Sequence, residues 1–454
     1  MCSSPLVTSQ EKKRIYIETL GCSKNRVDSE IMLNAFQSSG FELTVNPKIA
    51  EVIIVNTCAF LTEASEESIN RILELSDLKS KGNCEKLVAT GCLTQRYKES
   101  ILREIPELDG ILGSSGFEKI PKLISSIYQG NYNPQIYLHS KPHYDHNEIN
   151  NKIKSTKHFA YIKIAEGCSN MCSFCNIPLL RGNFSSRTIH SITKEIINLN
   201  KKGIKEFNLI SQDTSSYGID IRDNTGLAKL LKSIASIEGD FWVRLFYCYP
   251  NTFDPKVLEI ISNNKKFCRY LDIPLQHIND NVLKGMNRKI DRKTIEKKIK
   301  EIKKVLPNAA WRTTFIVGFP NETENAFNEL LDFVSEGHFQ HVGIFMYSHE
   351  DNIRSAKFGD PIPNTLKRIR KNQLLEAQQK ISLEKNKKYI GKNIKVLVNG
   401  RSEETDLLLE SRSEFQGPEV DGIVYINEGK AEPGKFYNVE ITEAYQYDLI
   451  GRIV

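Results

Sequence analysis

The chain has no apolar run long enough to cross a bilayer. Its most apolar stretches, such as residues 51–56, fall far short of the roughly 18 residues that a membrane helix needs. Residues 1–14 carry charge but no apolar core like that of a signal sequence, so the expectation is a cytoplasmic protein. Ten cysteines among 454 residues are too sparse for a disulfide scaffold. A net charge of +6 is too mild to argue by itself for a nucleic-acid partner. With 40% apolar and 26% charged residues, what remains is a soluble globular enzyme. Its length suits about three domains of the usual size.

The few cysteines are unevenly placed. Cys168, Cys172 and Cys175 share one loop, in the run Glu166-Gly-Cys-Ser-Asn-Met-Cys-Ser-Phe-Cys175. Gaps of three and two residues bring three thiolates around one small volume. Three thiolates hold a four-iron cube by three corners and leave one iron open, and an open metal position is where chemistry happens. Zinc is the competing reading. A structural zinc site takes four ligands, and His158 and His190 flank the loop too loosely to complete one.

The rest of the chain divides into three regions. From residue 13 to 130, a short β-rich run followed by a cysteine and a helical stretch occurs three times. Residues 15–20 lead to Cys22, residues 52–57 to Cys58 and residues 87–90 to Cys92. This spacing predicts βαβ units with a parallel sheet. Such sheets bind ligands along the edge where the strands end, so the three cysteines are candidates for convergence. A free cysteine is also an ordinary small core residue, and that reading stays open here. Residues 131–157 are polar and read as a linker.

Residues 158–388 alternate strand and helix. Strands are expected at 160–165, 207–211, 242–249, 270–275, 313–317 and 342–347, with helices at 227–237, 292–305 and 324–334 among those between. Six βα units predict a partial (β/α)6 barrel with the Cys168 loop after its first strand, at the face where barrel enzymes place their chemistry. A long basic helix over 366–388 ends the region. Residues 391–454 change character: short strands at 394–398, 406–410, 422–426 and 436–441 between Gly, Pro and Asn turns predict a small OB-like β-barrel.

The Cys168 loop resembles the cluster loop of the radical SAM superfamily. The order of regions resembles the methylthiotransferases of that superfamily, whose last domain is the TRAM barrel, and the likeness spans residues 13–454. The runs Thr19-Leu-Gly-Cys-Ser-Lys-Asn-Arg-Val-Asp-Ser-Glu30, Ile210-Ser-Gln-Asp-Thr-Ser-Ser-Tyr-Gly218, Tyr270-Leu-Asp-Ile-Pro-Leu-Gln-His277 and Ser413-Glu-Phe-Gln-Gly-Pro-Glu-Val-Asp-Gly422 resemble the branch that acts on an aspartate of ribosomal protein uS12. Members acting on a tRNA adenosine tend to have Gln-Asn where Gln212-Asp213-Thr214 stands; tRNA remains the alternative substrate. Ser23, where that branch more often has Pro, and Asn176 depart from the pattern.

The resemblance implies two 4Fe-4S clusters, one held by Cys22, Cys58 and Cys92 and one by Cys168, Cys172 and Cys175. It also implies S-adenosyl-L-methionine, a low-potential electron donor and a sulfur donor. The implied reaction replaces an aspartate β C–H bond, which no side-chain base readily deprotonates near neutral pH. A radical made by cleaving SAM removes the hydrogen, and a methylthio group takes its place. The implied partner is uS12, free or on the small ribosomal subunit. Cys2, Cys84, Cys248 and Cys268 match no ligand position and read as ordinary thiols. Phe174 and the run Val317-Gly-Phe-Pro320 lie near the expected SAM site but read equally well as packing and turn residues.

Charge separates the possible recipients. Residues 392–454 hold seven basic and twelve acidic side chains, a net of −5. A module that follows phosphates should be basic, whereas an acidic one complements a basic ribosomal protein. The basic helix pulls the other way, toward RNA or simply toward solvent. An iron–sulfur scaffold without catalysis is the remaining reading, and two open clusters weigh against it.

Overall fold

The computed structural model describes residues 12–130, 135–138, 156, 158–221 and 225–454. Two compact units make up the chain. The first takes in the chain up to Ser155 together with Ile177–Gly182; the second holds Thr156–Asn176 and Asn183–Val454.

The first unit is built on one sheet. Its strands are β1 (Arg14–Thr19), β2 (Glu42–Leu43), β3 (Val52–Thr57), β4 (Lys86–Gly91), β5 (Gly110–Leu112) and β6 (Gln135–Tyr137), in the order β2-β1-β3-β4-β5-β6 with every pairing parallel. The middle strand β3 is buried along its whole length, which is why it reads Val-Ile-Ile-Val without alternation. Ile53, Val55, Leu87 and Ala89 pack with Ile72 and Leu75 of the helix Thr62–Ser76. By sequence pattern this region ends at 130, and 131–157 reads as a linker. The structure instead pairs Ile136 with Ile111 and adds β6 to the sheet. Three residues are too few to show a period, so this strand left no signal. Apart from 135–138 and 156, residues 131–157 lie outside those described.

The second unit begins with β7 (Phe159–Lys163). A two-residue ribbon, β8 (Ala165–Glu166) against β9 (Ser185–Ser186), follows it. Then come β10 (Glu206–Ile210), β11 (Trp242–Leu245), β12 (Phe267–Asp272), β13 (Ala310–Val317) and β14 (His341–Met346). These and β7 form an open parallel sheet in the order β14-β13-β12-β11-β10-β7. Strand order follows chain order, and a helix lies between each neighbouring pair, including Leu227–Ala235, Arg292–Val305 and Glu324–Ser335. This is the expected partial (β/α)6 barrel.

The helix Asn364–Lys387 buries a polar stripe: Lys367, Arg370, Gln378 and Ser382 flank Leu374. Lys367 Nζ pairs with Asp360 (2.6 Å) and Arg370 with Glu322 (2.7 Å). Part of the helix's basic charge is therefore spent inside the fold, not offered to RNA or solvent. After it come β15 (Asn393–Arg401), β16 (Leu409–Ser413), β17 (Val424–Glu428), β18 (Phe436–Ala444) and β19 (Leu449–Ile453). They close a barrel in the order β15-β16-β17-β19-β18, in which β17 and β19 are parallel and the other pairs antiparallel. The sequence showed the first four strands and missed β19.

The turn after β16 plugs the N-terminal ends of the core strands. Glu206 of β10 accepts from Arg244 Nε (3.2 Å) and Arg412 Nη2 (2.6 Å). Asp421 accepts from Tyr270 Oη (2.7 Å) and Arg312 Nη1 (2.6 Å). Burial alone would raise both carboxyls; Arg412 and Arg244 hold Glu206 below the usual range, and His341 and Arg312 do so for Asp421. Asp421, only 1% exposed, thus adds nothing to the acidic surface expected of this barrel.

Candidate active site

Strands β1, β3 and β4 are neighbours in the first sheet, and a cysteine follows each. Cys22 precedes the helix Ser23–Ser38, Cys58 follows Thr57 directly, and Cys92 opens the helix Cys92–Tyr97. Neighbouring strands lie about 4.8 Å apart, so the three thiols gather on one edge, the one that the sequence pattern singled out. Cys58 and Cys92 are 8% and 7% exposed; Cys22 faces solvent. Burial, then the neighbouring Cys92 and Cys22, pushes the Cys58 thiol up to about 12. Burial raises Cys92 as well, and the Arg181 guanidinium opposes that rise by charge and by a hydrogen bond.

Glycine is required at two of these strand ends. Gly21 has φ +85°, and a Cβ there would stand 2.8 Å from Cys58 Sγ. Gly91 has φ +101°, and its Cβ would stand 2.6 Å from the Thr57 carbonyl.

Buried side chains tie the strand ends together. Asn25 Nδ2 donates to the Leu20 and Thr57 carbonyls (2.8 and 2.9 Å). Asn56 Nδ2 donates to the Asn25 carbonyl (2.8 Å), and Thr57 Oγ1 donates to the Thr90 carbonyl (2.6 Å). Arg181 donates to Asp28 Oδ2 (2.7 Å) and to Asn25 Oδ1 (2.5 Å). Arg181 lies on the helix Ile177–Arg181, which starts two residues after Cys175 yet belongs to the first unit. In sequence Asn25 is legible only as part of a run that carries the resemblance, and nothing local marks Arg181. The Asn56-Thr57 pair that breaks an otherwise apolar strand was the available signal.

In the second unit, Cys168, Cys172 and Cys175 lie on the loop after β8, all partly exposed. Backbone and side-chain bonds to distant segments hold this loop. Ser173 N donates to the Met286 carbonyl (2.9 Å), Asn287 Nδ2 to the Met171 carbonyl (2.8 Å) and Asn170 Nδ2 to Asp213 Oδ2 (2.7 Å). At its start, Glu166 is buried between Lys163 Nζ and Gln212 Nε2, both at 2.5 Å. Gln212 and Asp213, which marked the resemblance in sequence, thus turn out to fix the loop. Arg288 Nη1 reaches Cys172 Sγ (3.5 Å), and its guanidinium lies over the Tyr249 ring, 4.1 Å from the centroid. Burial pushes Cys168 up to about 11.

Across the same sheet, His277 is fully buried. Its Nδ1 accepts from Asn279 N (3.0 Å), so Nε2 carries the proton and donates to Glu322 Oε1 (3.1 Å). Glu322 Oε2 accepts from Gly318 N (2.6 Å) and from Arg370. Phe174 packs against the apolar cluster of Met286, Phe319 and Tyr347. Cys84, Cys248 and Cys268 are buried thiols, and Cys2 lies outside the described residues. Among the described residues, no three His, Cys, Asp or Glu side chains converge tightly enough to chelate a single metal ion.

Comparison with known proteins covers most of the chain. Residues 14–113 match uncharacterized protein family UPF0004, residues 162–334 the radical SAM superfamily and residues 390–454 the TRAM domain. Ribosomal protein uS12 methylthiotransferase RimO of Bdellovibrio bacteriovorus is 44% identical over 98% of both chains. The protein of that name from Caldicellulosiruptor saccharolyticus is 43% identical over 96% of this chain and 98% of its own. Among solved structures, the Kitasatospora setae radical S-adenosylmethionine methyltransferase TsrM, with cobalamin and a 4Fe-4S cluster bound, has a similar fold. Its TM-score is 0.55 at 12% identity, covering 74% of this chain and 72% of that one. With identity above two fifths across nearly the full length, the chain belongs to the ribosomal protein uS12 methylthiotransferase RimO family.

Proposed function

We propose that this protein adds a methylthio group to the β-carbon of an aspartate of ribosomal protein uS12, using S-adenosyl-L-methionine and two 4Fe-4S clusters. The observation that carries the reading is the pair of three-cysteine sites in a chain of this family. Cys22, Cys58 and Cys92 stand at adjacent strand ends, and Cys168, Cys172 and Cys175 share one loop. In this reading each triad holds one cluster.

The donor sets fit. Each offers three soft thiolates, and a four-iron cube spreads its ligands over separate corners where a single ion would draw them together. The Gly21 cradle against Cys58 leaves no side chain in the way at the strand-end site. When bound, the loop-side cluster supplies the electron that cleaves SAM, and the strand-end cluster supplies the sulfur to be passed on. The residues around them bind, orient and exclude water. Arg181 brings a buried positive charge to the strand-end thiolates, and Arg288 brings one to Cys172. Lys163, Glu166 and Gln212 fix the start of the loop.

Cluster potentials reach down to roughly −700 mV, and SAM cleavage uses the low end of that range, so a low-potential electron donor is part of this proposal. A sulfur donor and a cytoplasmic location complete it. Deleting the gene and weighing intact uS12 tests it: uS12 should lose the mass of one methylthio group. Unchanged uS12, with methylthioadenosine lost from tRNA, would assign the protein to the alternative substrate.

A further inference from the structure

Two short segments of the second unit flank the loop of Cys168, Cys172 and Cys175, each one hydrogen bond away from it. The first is the turn that ends the helix Asp280–Gly285. Its Gly285 and Met286 carbonyls accept from Ser173 Oγ (2.8 Å) and Ser173 N (2.9 Å). Asn287 Nδ2 donates to the Met171 carbonyl (2.8 Å), and Arg288 Nη1 reaches Cys172 Sγ (3.5 Å). The second is the helical turn Arg354–Phe358, whose Ser355 N donates to the Ser173 carbonyl (2.8 Å). Tyr347 Oη steadies that turn by donating to Ser355 Oγ (2.9 Å).

Both segments present charge of one sign. Lys284 and Lys289 flank the first, Arg354 and Lys357 lie on the second, and all four side chains are exposed. Among the described residues, no carboxylate lies within ion-pair distance of any of the four. Of the carboxylates nearest in sequence, Asp280 accepts from Arg292 N (2.7 Å), Asp360 pairs with Lys367 (2.6 Å) and Glu350 is buried. The exposed Asp351 lies against His349 (3.6 Å). Two apolar side chains stand out among the cations: Met171 is 40% exposed and Phe358 44%. Lys284 and Phe358 line one open hollow of about 580 Å³, together with Asn281, Gly285, Pro320 and Asn321.

The proposed reaction draws an electron from outside, and electron transfer falls off steeply with distance. Its donor therefore has to dock on surface that touches the ligands of the loop. Exposed cations around two apolar side chains suit a brief, steered encounter with an acidic protein. The charges speed and orient the approach, and the apolar pair supplies a small dry contact. Redox encounters of this kind are small, below about 1,200 Å². A chain of phosphates gains nothing from Met171 and Phe358, and a small-molecule reductant needs no patch. We infer that this patch docks an acidic protein carrying a low-potential, one-electron redox group. One electron leaves the carrier, which is oxidised by one, and reduces by one the cluster proposed at the loop; no bond or proton moves in this step. This docking rests on the cluster proposed for that loop, and not on which macromolecule is modified.

The test uses the reconstituted full-length protein and its Lys284→Glu/Lys357→Glu variant, since both lysines are exposed and reversing them should leave the fold intact. Formation of 5′-deoxyadenosine from SAM is measured with reduced plant-type ferredoxin, a carrier at about −400 mV, and separately with excess dithionite. Across a ferredoxin titration the variant should need about tenfold more carrier for its half-maximal rate, because two reversed charges oppose the encounter. At about 1 M salt, where the Debye length is roughly 3 Å, that gap should close to within about twofold. With dithionite the two proteins should cleave SAM at the same rate.

Equal dependence of the two proteins on ferredoxin overturns the inference, as does wild-type cleavage that dithionite drives and ferredoxin does not. So does an equal loss with dithionite, which would give the lysines a structural role, or a gap that salt leaves unchanged. Weaker binding of a fluorescein-labelled RNA oligonucleotide by the variant, with unchanged dependence on ferredoxin, would assign the patch to nucleic acid and also overturn it. If wild type cleaves SAM with neither reductant, the cluster reading fails and the docking with it. If the ferredoxin difference holds but uS12 is not modified, the substrate reading fails and the docking surface stands.

Discussion

The two cysteine triads are built in opposite ways. Cys58 and Cys92 are buried at the ends of adjacent parallel strands, and the side chains of Asn25, Asn56 and Thr57 lock those ends together. Cys168, Cys172 and Cys175 lie on a loop, partly exposed, held by bonds from Asn287, Arg288 and Asp213. A site on strand ends is set by the sheet ladder and moves only with it. A site on a loop depends on each of its tethers, which suits a place where a small molecule must enter and leave. In the proposed division of labour the loop admits SAM, and the strand-end edge, where Cys58 and Cys92 are buried and Cys22 faces solvent, presents the sulfur to be passed on.

Breaking the loop site should have the largest effect. Cys172→Ala should drop reductive SAM cleavage to background, measured as 5′-deoxyadenosine, while about four of the expected eight irons remain on the strand-end site. Complete loss of iron would mean that the two sites are not independent.

The next effect is on stability. Arg181→Met would leave the buried Asp28 carboxylate without its guanidinium, which costs about 3–5 kcal/mol. Adding Asp28→Asn should recover much of that in denaturant melts. A loss below about 1 kcal/mol for the single variant would show that the strand-end site does not depend on this charge.

Gly21→Ala is a smaller and more local lesion. It puts a β-carbon against Cys58 Sγ at a positive φ, and such backbone strain costs about 1–3 kcal/mol. Iron bound at the strand-end site should fall, and SAM cleavage should not.

Acid should destabilise the second unit of the apo-protein. Glu206 and Asp421 have folded-state values below their unfolded ones, so their stabilisation is full above the unfolded carboxylate value of about 4 and is lost as pH falls through the folded one. Calorimetry on acidification should show the second unit losing stability, and Glu206→Gln should flatten that limb. The smallest effect belongs to Asn170→Ala. It removes one bond to Asp213 and should cost about 1 kcal/mol, visible only as faster loss of iron from the loop site.

Much of the fold was legible because its strands are apolar runs with a fixed relation to cysteines. Strand β3 and the helix Arg292–Val305 fall where the pattern put them, residue for residue. The strand–cysteine–helix pattern, met three times, located one triad, and loop spacing located the other. What escaped notice depends on contacts between distant residues or on runs too short to show a period. Strand β6 has three residues, and β19 is a short run interrupted by Gly451. Arg181 and Asp28 lie far apart in sequence, so nothing local announces their pairing. The helix Asn364–Lys387 looked merely basic because its buried stripe is polar, satisfied by Asp360, Glu322 and backbone carbonyls. The run Ser413–Gly422 was visible only as a resemblance; its role as the plug beneath the core strands needs Arg244, Arg312 and Tyr270, far earlier in the chain.

The difference between the two triads is tested most directly by reconstituted Cys58→Ala protein, reduced and supplied with SAM and uS12. The division of labour proposed for the two sites predicts that 5′-deoxyadenosine still forms and that the intact mass of uS12 does not change. Methylthiolated uS12 from this variant would contradict it.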